Sequence, residues 1–269
     1  MTIYQGDARD LSMIEDGTVA CAVTSPPYPR VKVYGNDDRE IGLGSTVNSY
    51  CEEMVQVASE VRKKLIPGGT YWLNIGEKSN FSGGAGGDYN PVGRFEGQRK
   101  AGRFADPNYP AGHIGITRKV EQALQDDGWR VRLSIIWDKS GRGEVGSMVH
   151  TRRPMLTHEY ILMLAPDKYP TRFNERAIGS PDFDFELADG TRQPFIEPGS
   201  VWHFPPGSDM PEAKHPAPFP IELPRRCILL STKPGDLVLD PFAGSGTAGR
   251  AAEMLGRRFV GVDLYAATT

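Results

Sequence analysis

Leu237-Val238-Leu239 reads as a short buried strand, and Asp240-Pro241-Phe242-Ala243-Gly244-Ser245-Gly246-Thr247 reads as its end, a tight turn and the start of a helix. Glycines there let the backbone approach a ligand closely, and the free N–H groups of a helix start can face a polar or anionic group. The next strand, Phe259 to Val262, leads to Asp263, where a carboxylate suits a pair of ribose hydroxyls. Gly244, Gly246 and Gly249 also satisfy G-x-G-x-x-G, and Asp263 stands about 20 residues beyond. A nicotinamide dinucleotide site is therefore the first rival. Only Leu264 to Thr269 follow Asp263. Six residues cannot finish a nucleotide-binding sheet, so its other strands are expected from earlier in the chain, with the ligand-binding half last. That order is unusual for a dehydrogenase.

Earlier segments supply such strands. Val19 to Thr24 reads as a buried strand. Ser45 or Thr46 is placed to cap a helix running to about Leu65, stopped by Pro67-Gly68-Gly69, and Tyr71 to Ile75 is then a strand. Thr117 to Asp127 reads as helix, Trp129 to Trp137 and Tyr160 to Leu164 as strands, Ile221 to Leu230 and Gly246 to Leu255 as helices. Alternating strands and helices imply a largely parallel sheet covered on both faces, within a single domain spanning 1–269. Two stretches break the rhythm. Residues 80–116 carry glycines, basic residues (Arg94, Arg99, Lys100, Arg103) and aromatics, and residues 167–213 are rich in Pro, Asp and aromatics. Structureless loops of this length are usually functional or disordered.

Thr24-Ser25-Pro26-Pro27-Tyr28 follows the first buried strand. Two prolines remove two N–H donors and fix two φ angles, leaving a stiff turn with exposed carbonyls. A hydroxyl stands before the prolines and an aromatic face after them, which suits a flat ring bearing an amino group. Ser25 Oγ and the Pro26 carbonyl can accept hydrogen bonds from the amine while Tyr28 stacks on the ring. Alone, the segment is equally a strand-end turn with a packed tyrosine.

Together these segments resemble the β group of DNA amino-methyltransferases. Ser25-Pro26-Pro27-Tyr28 is similar to their catalytic motif, and Asp240 to Thr247 to their S-adenosylmethionine loop, with the catalytic motif first and the cofactor loop last. His215-Pro216-Ala217-Pro218-Phe219-Pro220 resembles the cofactor-side segment before that loop, and Gly6-Asp7 the acidic segment near the cofactor adenine. Arg152-Arg153-Pro154 with Thr157-His158-Glu159-Tyr160 resembles the segment before the target-recognition region. The resemblance implies a Rossmann-like α/β methyltransferase sheet in circularly permuted motif order with inserted DNA-recognition loops. It implies S-adenosylmethionine as cofactor, held by Asp7, Thr24, His215, Pro216, Phe219, Asp240, Pro241, Phe242, Ala243, Gly244, Ser245, Gly246, Thr247 and Asp263. Ser25, Pro26, Pro27 and Tyr28 would be the catalytic residues. Serine rather than aspartate at the first motif position resembles the cytosine-N4 enzymes, with adenine-N6 as the alternative. The implied partner is double-stranded DNA, with the target base flipped into a pocket. Recognition would fall in 167–213, with 80–116 sharing it. Homodimers occur in this group, and the resemblance carries that expectation.

Composition narrows the rest. A net charge of −3 argues against a protein that coats nucleic acid, though not against a local basic cleft. Arg30 and Lys32 beside the motif, and Lys139, Arg142, Arg152 and Arg153 further on, are the expected DNA contacts. Cys21, Cys51 and Cys227 form no CxxC pair, and His158-Glu159 lacks the second histidine of H-E-x-x-H, so no metal site is expected. The glycine turn lacks the Lys-Ser/Thr ending of a P-loop. No apolar run approaches a membrane span and the first residues carry no export signal, so reducing cytosol is the expected compartment. A NAD-dependent enzyme, a silent DNA-binding module, and methylation of RNA or protein amines are the remaining rivals.

Overall fold

Every residue of Val19–Thr24 is buried, as expected only of a central strand covered on both faces. The computed structural model describes residues 1–29, 37–43, 46–77, 79–80, 106–139, 156–166, 172–174, 185–186, 192–193, 199–206 and 219–265. In chain order the elements are β1 (Thr2–Gln5), β2 (Val19–Thr24), α1 (Val47–Lys64), β3 (Leu65–Ile75), β4 (Ser79–Asn80), β5 (Gly112–His113), α2 (Ile116–Asp126), β6 (Arg130–Asp138), β7 (His158–Ala165), β8 (Phe185–Glu186), β9 (Arg192–Gln193), β10 (Val201–His203), α3 (Glu222–Ser231), β11 (Leu237–Asp240), α4 (Thr247–Met254) and β12 (Arg258–Asp263). Eight strands form one sheet in the order β1-β12-β11-β2-β3-β7-β6-β10. The pairs from β1 to β3 are parallel, β7 runs antiparallel to both its neighbours, and β10 pairs parallel with β6.

The pleat divides the core. Ala22, Tyr71, Leu73 and Ile75 face the layer of α1 and α2, while Cys21, Val23 and Trp72 face α3 and α4. Trp72 fits its buried layer because its indole N–H donates to Ser231 Oγ at 2.7 Å. At roughly 25 cal/mol per Å² of apolar surface, these two layers supply the main stabilisation. Helix α1 begins at Thr46, whose hydroxyl accepts from Ser49 N–H, and Asp106 Oδ2 accepts from Val47 N–H at 2.7 Å.

Three expectations change. Helix α1 ends at Lys64 with Leu65 as its C-cap, as expected, but Pro67-Gly68-Gly69 lies within β3 rather than before it. The register against β2 passes from Val19↔Leu65 to Cys21↔Thr70, so these residues bulge out of the ladder, with Gly68 at φ 76. Strand β1 gives no signal in the sequence, because it is mostly exposed and lacks an apolar run. Strand β10 lies within 167–213 and extends the main sheet, its Trp202 buried among the α3-side residues. Among the described residues, no helix is long and apolar enough to cross a membrane.

The order of connections positions the site. β11 leads through α4 to β12 on one side, and β2 through α1 to β3 on the other. The two connecting helices lie on opposite faces. The adjacent carboxyl ends of β11 and β2 are therefore a topological switch point, where open α/β sheets form a ligand crevice.

Candidate active site

One edge of the sheet gathers the residues singled out in the sequence. The carboxyl ends of β1, β12, β11, β2 and β3 present Asp7, Asp263, Asp240, Thr24 and Asn74 in turn. Because β7 is antiparallel, its first residues, His158 and Glu159, reach the same edge.

The glycine turn after β11 has the form its sequence implies. Gly244 and Gly246 take positive φ, 49 and 78, and Gly246 occupies the N-cap of α4 without a side-chain cap. The first-turn N–H groups of α4 are thus left to a polar or anionic partner. Gly249 allows close seating of α4, since a Cβ there would stand 2.8 Å from Phe259 Cδ1. Asp263 Oδ2 accepts the Gly244 N–H at 2.8 Å and Oδ1 the Tyr265 N–H at 3.0 Å, so the carboxylate is fixed at the rim of the turn. Asp7 is clamped by Arg9 through both carboxylate oxygens. Burial pulls its pKa up, but the bonds and charge of Arg9 together outweigh that and hold it below the usual range. A glycine cradle, an uncapped helix start and two oriented acids fit a nucleoside bearing a polar tail.

Thr24 joins this half to the other. Its hydroxyl, fully buried, donates to Asp240 Oδ1 at 2.5 Å, and Phe242 N–H donates to the same oxygen at 3.0 Å. Burial above all, then the nearby Asp263 charge, raises the Asp240 pKa to about 7. The turn and the Ser-Pro-Pro-Tyr segment are therefore cross-linked through a dry hydrogen bond.

Ser25, Pro27 and Tyr28 are half-buried at the adjoining strand end, and Pro26 between them is buried. Tyr50, fully buried in α1, donates its hydroxyl to the Pro27 carbonyl at 3.0 Å. Tyr28 points its hydroxyl inward, 3.3 Å from Ser25 Oγ and 3.0 Å from Glu159 Oε2. Its ring edge lies against Gly76, where a Cβ would stand 2.8 Å from Tyr28 Cε2. Burial first, and then the Glu159 charge, push the phenol well above its ordinary pKa, so it stays a donor. Asn74, Glu159, Tyr50 and Gly76 are not among the expected site residues. Glu159 does carry a signal, since its Thr-His-Glu-Tyr segment stands out in the sequence, but its distance from the motif along the chain conceals the contact.

The remaining expected residues fall in three groups. Phe219 is half-buried against the α3-side core. Lys139 reaches the crevice but its ammonium is 2.6 Å from Glu159 Oε1. His215, Pro216, Arg30, Lys32, Arg142, Arg152 and Arg153 lie outside the described residues.

A family model described as DNA methylase matches residues 19–268. The type II methyltransferase M.Cfr9I of Citrobacter freundii is 36% identical over 270 residues, covering 98% of this chain and 83% of that protein. The solved PvuII DNA methyltransferase (cytosine-N4-specific) superposes with a TM-score of 0.67 at 21% identity, covering 98% of this chain and 81% of that one. A Thermus thermophilus protein solved with S-adenosyl-L-methionine gives a TM-score of 0.60 at 27% identity over 98% of this chain and 88% of that one.

Proposed function

The chain belongs to the DNA methylase family of N6/N4 amino-methyltransferases, and from that premise we propose that it methylates the exocyclic N4 of cytosine in duplex DNA. The family uses S-adenosylmethionine, which supplies, when bound, a methyl group activated by a sulfonium. The Gly244–Thr247 turn, the start of α4 and Asp263 would hold it, with Asp7 at the far end. The observation that carries the choice of base is Ser25, a neutral hydroxyl at the first motif position, beside the cofactor turn through the Thr24–Asp240 bond.

The work of the protein is positioning. A flipped base enters the crevice against the Tyr28 ring. An exocyclic amine is a weak nucleophile because its lone pair is delocalised into the ring. Ser25 Oγ and the Pro26 carbonyl accept its two N–H bonds, pull the nitrogen toward pyramidal geometry and free the lone pair. The stiff Pro-Pro backbone holds both acceptors before the base arrives, so little reorganisation is left for the reaction itself. Type II methyltransferase relatives support a place in site-specific modification, the counterpart of a restriction activity. Of the basic residues expected to touch DNA, Lys139 is the one among the described residues, and it stands at the crevice beside Glu159.

Nucleoside mass spectrometry of DNA methylated by the purified protein should show N4-methylcytosine. N6-methyladenine in its place would overturn the assignment of base and leave the family membership intact. Ser25→Ala should abolish transfer while S-adenosylmethionine binding by calorimetry is retained, and near-normal turnover would remove the segment from the reaction centre.

A further inference from the structure

Hydrogen-bond direction around Tyr28 is settled by what each neighbour can donate. Asn74, buried at the end of β3, donates its amide to the Tyr160 carbonyl and to Glu159 Oε2, both at 3.1 Å. Those two bonds use both amide hydrogens and leave Asn74 Oδ1, an acceptor, 3.4 Å from the Tyr28 hydroxyl. Lys139 donates to Glu159 Oε1 at 2.6 Å. Glu159 therefore meets Tyr28 as an acceptor, and the single phenolic proton goes to its Oε2 at 3.0 Å. The Tyr28 oxygen is left with lone pairs, and the group 3.3 Å from it is the Ser25 hydroxyl. Ser25 can then donate to Tyr28 and turn its own lone pairs to the crevice.

We infer that Glu159 is a positioning residue for the methyl transfer, acting through Tyr28 to orient Ser25 as an acceptor toward the target amine. The inference rests on the reading of Ser25 given above. Without a fixed acceptor behind Tyr28, the Ser25–Tyr28 pair has two directions of equal standing. In one of them Ser25 presents a proton to an amine that must itself donate. Lys139 and Asn74 hold the carboxylate in place, and Gly76 makes room for the Tyr28 ring edge. Lys139 thereby has a role inside the crevice besides the DNA contact expected of it.

The test compares Glu159→Gln, Tyr28→Phe and the double variant in single-turnover transfer of labelled methyl to unmodified host DNA, at saturating cofactor and DNA. Glutamine offers an amide donor as well as an oxygen, so the direction of the chain is no longer fixed. Glu159→Gln should slow the single-turnover rate by on the order of tenfold to a hundredfold, with cofactor affinity by calorimetry unchanged. The double variant should be no slower than Tyr28→Phe alone, because both changes break one chain. In carbon-labelled tyrosine NMR, the Tyr28 signal, assigned by its loss in Tyr28→Phe, should titrate at lower pH in Glu159→Gln than in the wild type. A wild-type rate in Glu159→Gln with Ser25→Ala inactive overturns the positioning role and leaves the motif reading standing. An active Ser25→Ala overturns the motif reading itself. Additive losses in the double variant, or an unmoved Tyr28 titration, also overturn the inference. Should Glu159→Gln fail to fold, Tyr28→Phe decides, since it keeps the ring and cuts the chain, and a wild-type rate there is fatal to the idea.

Discussion

Asp240 lies beneath the crevice, 1% exposed, and it accepts from Thr24 on one side and Phe242 on the other. The folded protein keeps the proton on this acid up to about pH 7, whereas its unperturbed value is 3.8. Between those values the native state binds more protons than the unfolded one, so stability falls as pH rises. The contribution is complete below about pH 4 and is lost as pH rises through about 7. Asp240→Asn stays neutral and still offers an oxygen to both donors. Denaturant unfolding without cofactor should therefore show the variant gaining on the wild type from pH 5 to pH 8, by about 1–3 kcal/mol. A difference constant across that range would contradict the assignment. At this scale, residues contiguous in sequence are the legible ones: Ser25 to Tyr28, and Asp240 to Thr247. Asn74 and Glu159 are not, because only the reversed direction of β7 brings its first residues to the carboxyl edge of β3.

Helix α4 is seated on the sheet by the absence of side chains. A Cβ on Gly249 would meet Phe259 Cδ1 at 2.8 Å and Met1 Sδ at 2.3 Å, and one on Gly261 would meet Ala243 Cβ at 2.6 Å. An alanine at 249 gains up to about 1 kcal/mol of helix propensity. The overpacking cost, typically about 1–3 kcal/mol, should exceed that because Phe259 is itself buried in the core. Gly249→Ala should therefore lower the urea midpoint with an unchanged slope, and an equal or higher midpoint would show that α4 is not tightly seated. The third glycine of G-x-G-x-x-G reads in the sequence as part of a nucleotide turn, and in the fold its use is in packing. Other elements are legible through apolar runs and breakers, which is why β2, α1 and β11 stand where the sequence places them. The exceptions have local causes: β1 has no apolar run to betray it, and Pro67-Gly68-Gly69, a usual stop signal, is absorbed as a bulge in a strand held by neighbours on both sides.

For the molecule as a whole, the crevice is shared between segments from opposite ends of the chain. A ligand that binds this folded crevice and not the unfolded chain adds about 2.7 kcal/mol at a hundred times its dissociation constant. Saturating S-adenosylmethionine should raise the melting temperature by several degrees, and NADH at the same concentration should leave it unchanged. The reverse result would return the glycine turn to the dinucleotide reading. The pairing of β1 with β12, from Thr2↔Val260 to Gln5↔Asp263, carries a consequence for biosynthesis. On the ribosome β1 emerges long before its partner in the main sheet, which is not made until Val260 to Asp263 have followed. Asp7, just beyond β1, can face the glycine turn after β11 only once that pairing forms. The nascent polypeptide therefore carries the Ser-Pro-Pro-Tyr segment through the synthesis of more than 200 residues before the glycine turn and β12 can stand beside it. Competence for ligand binding should arrive in one step, when β1 and β12 pair.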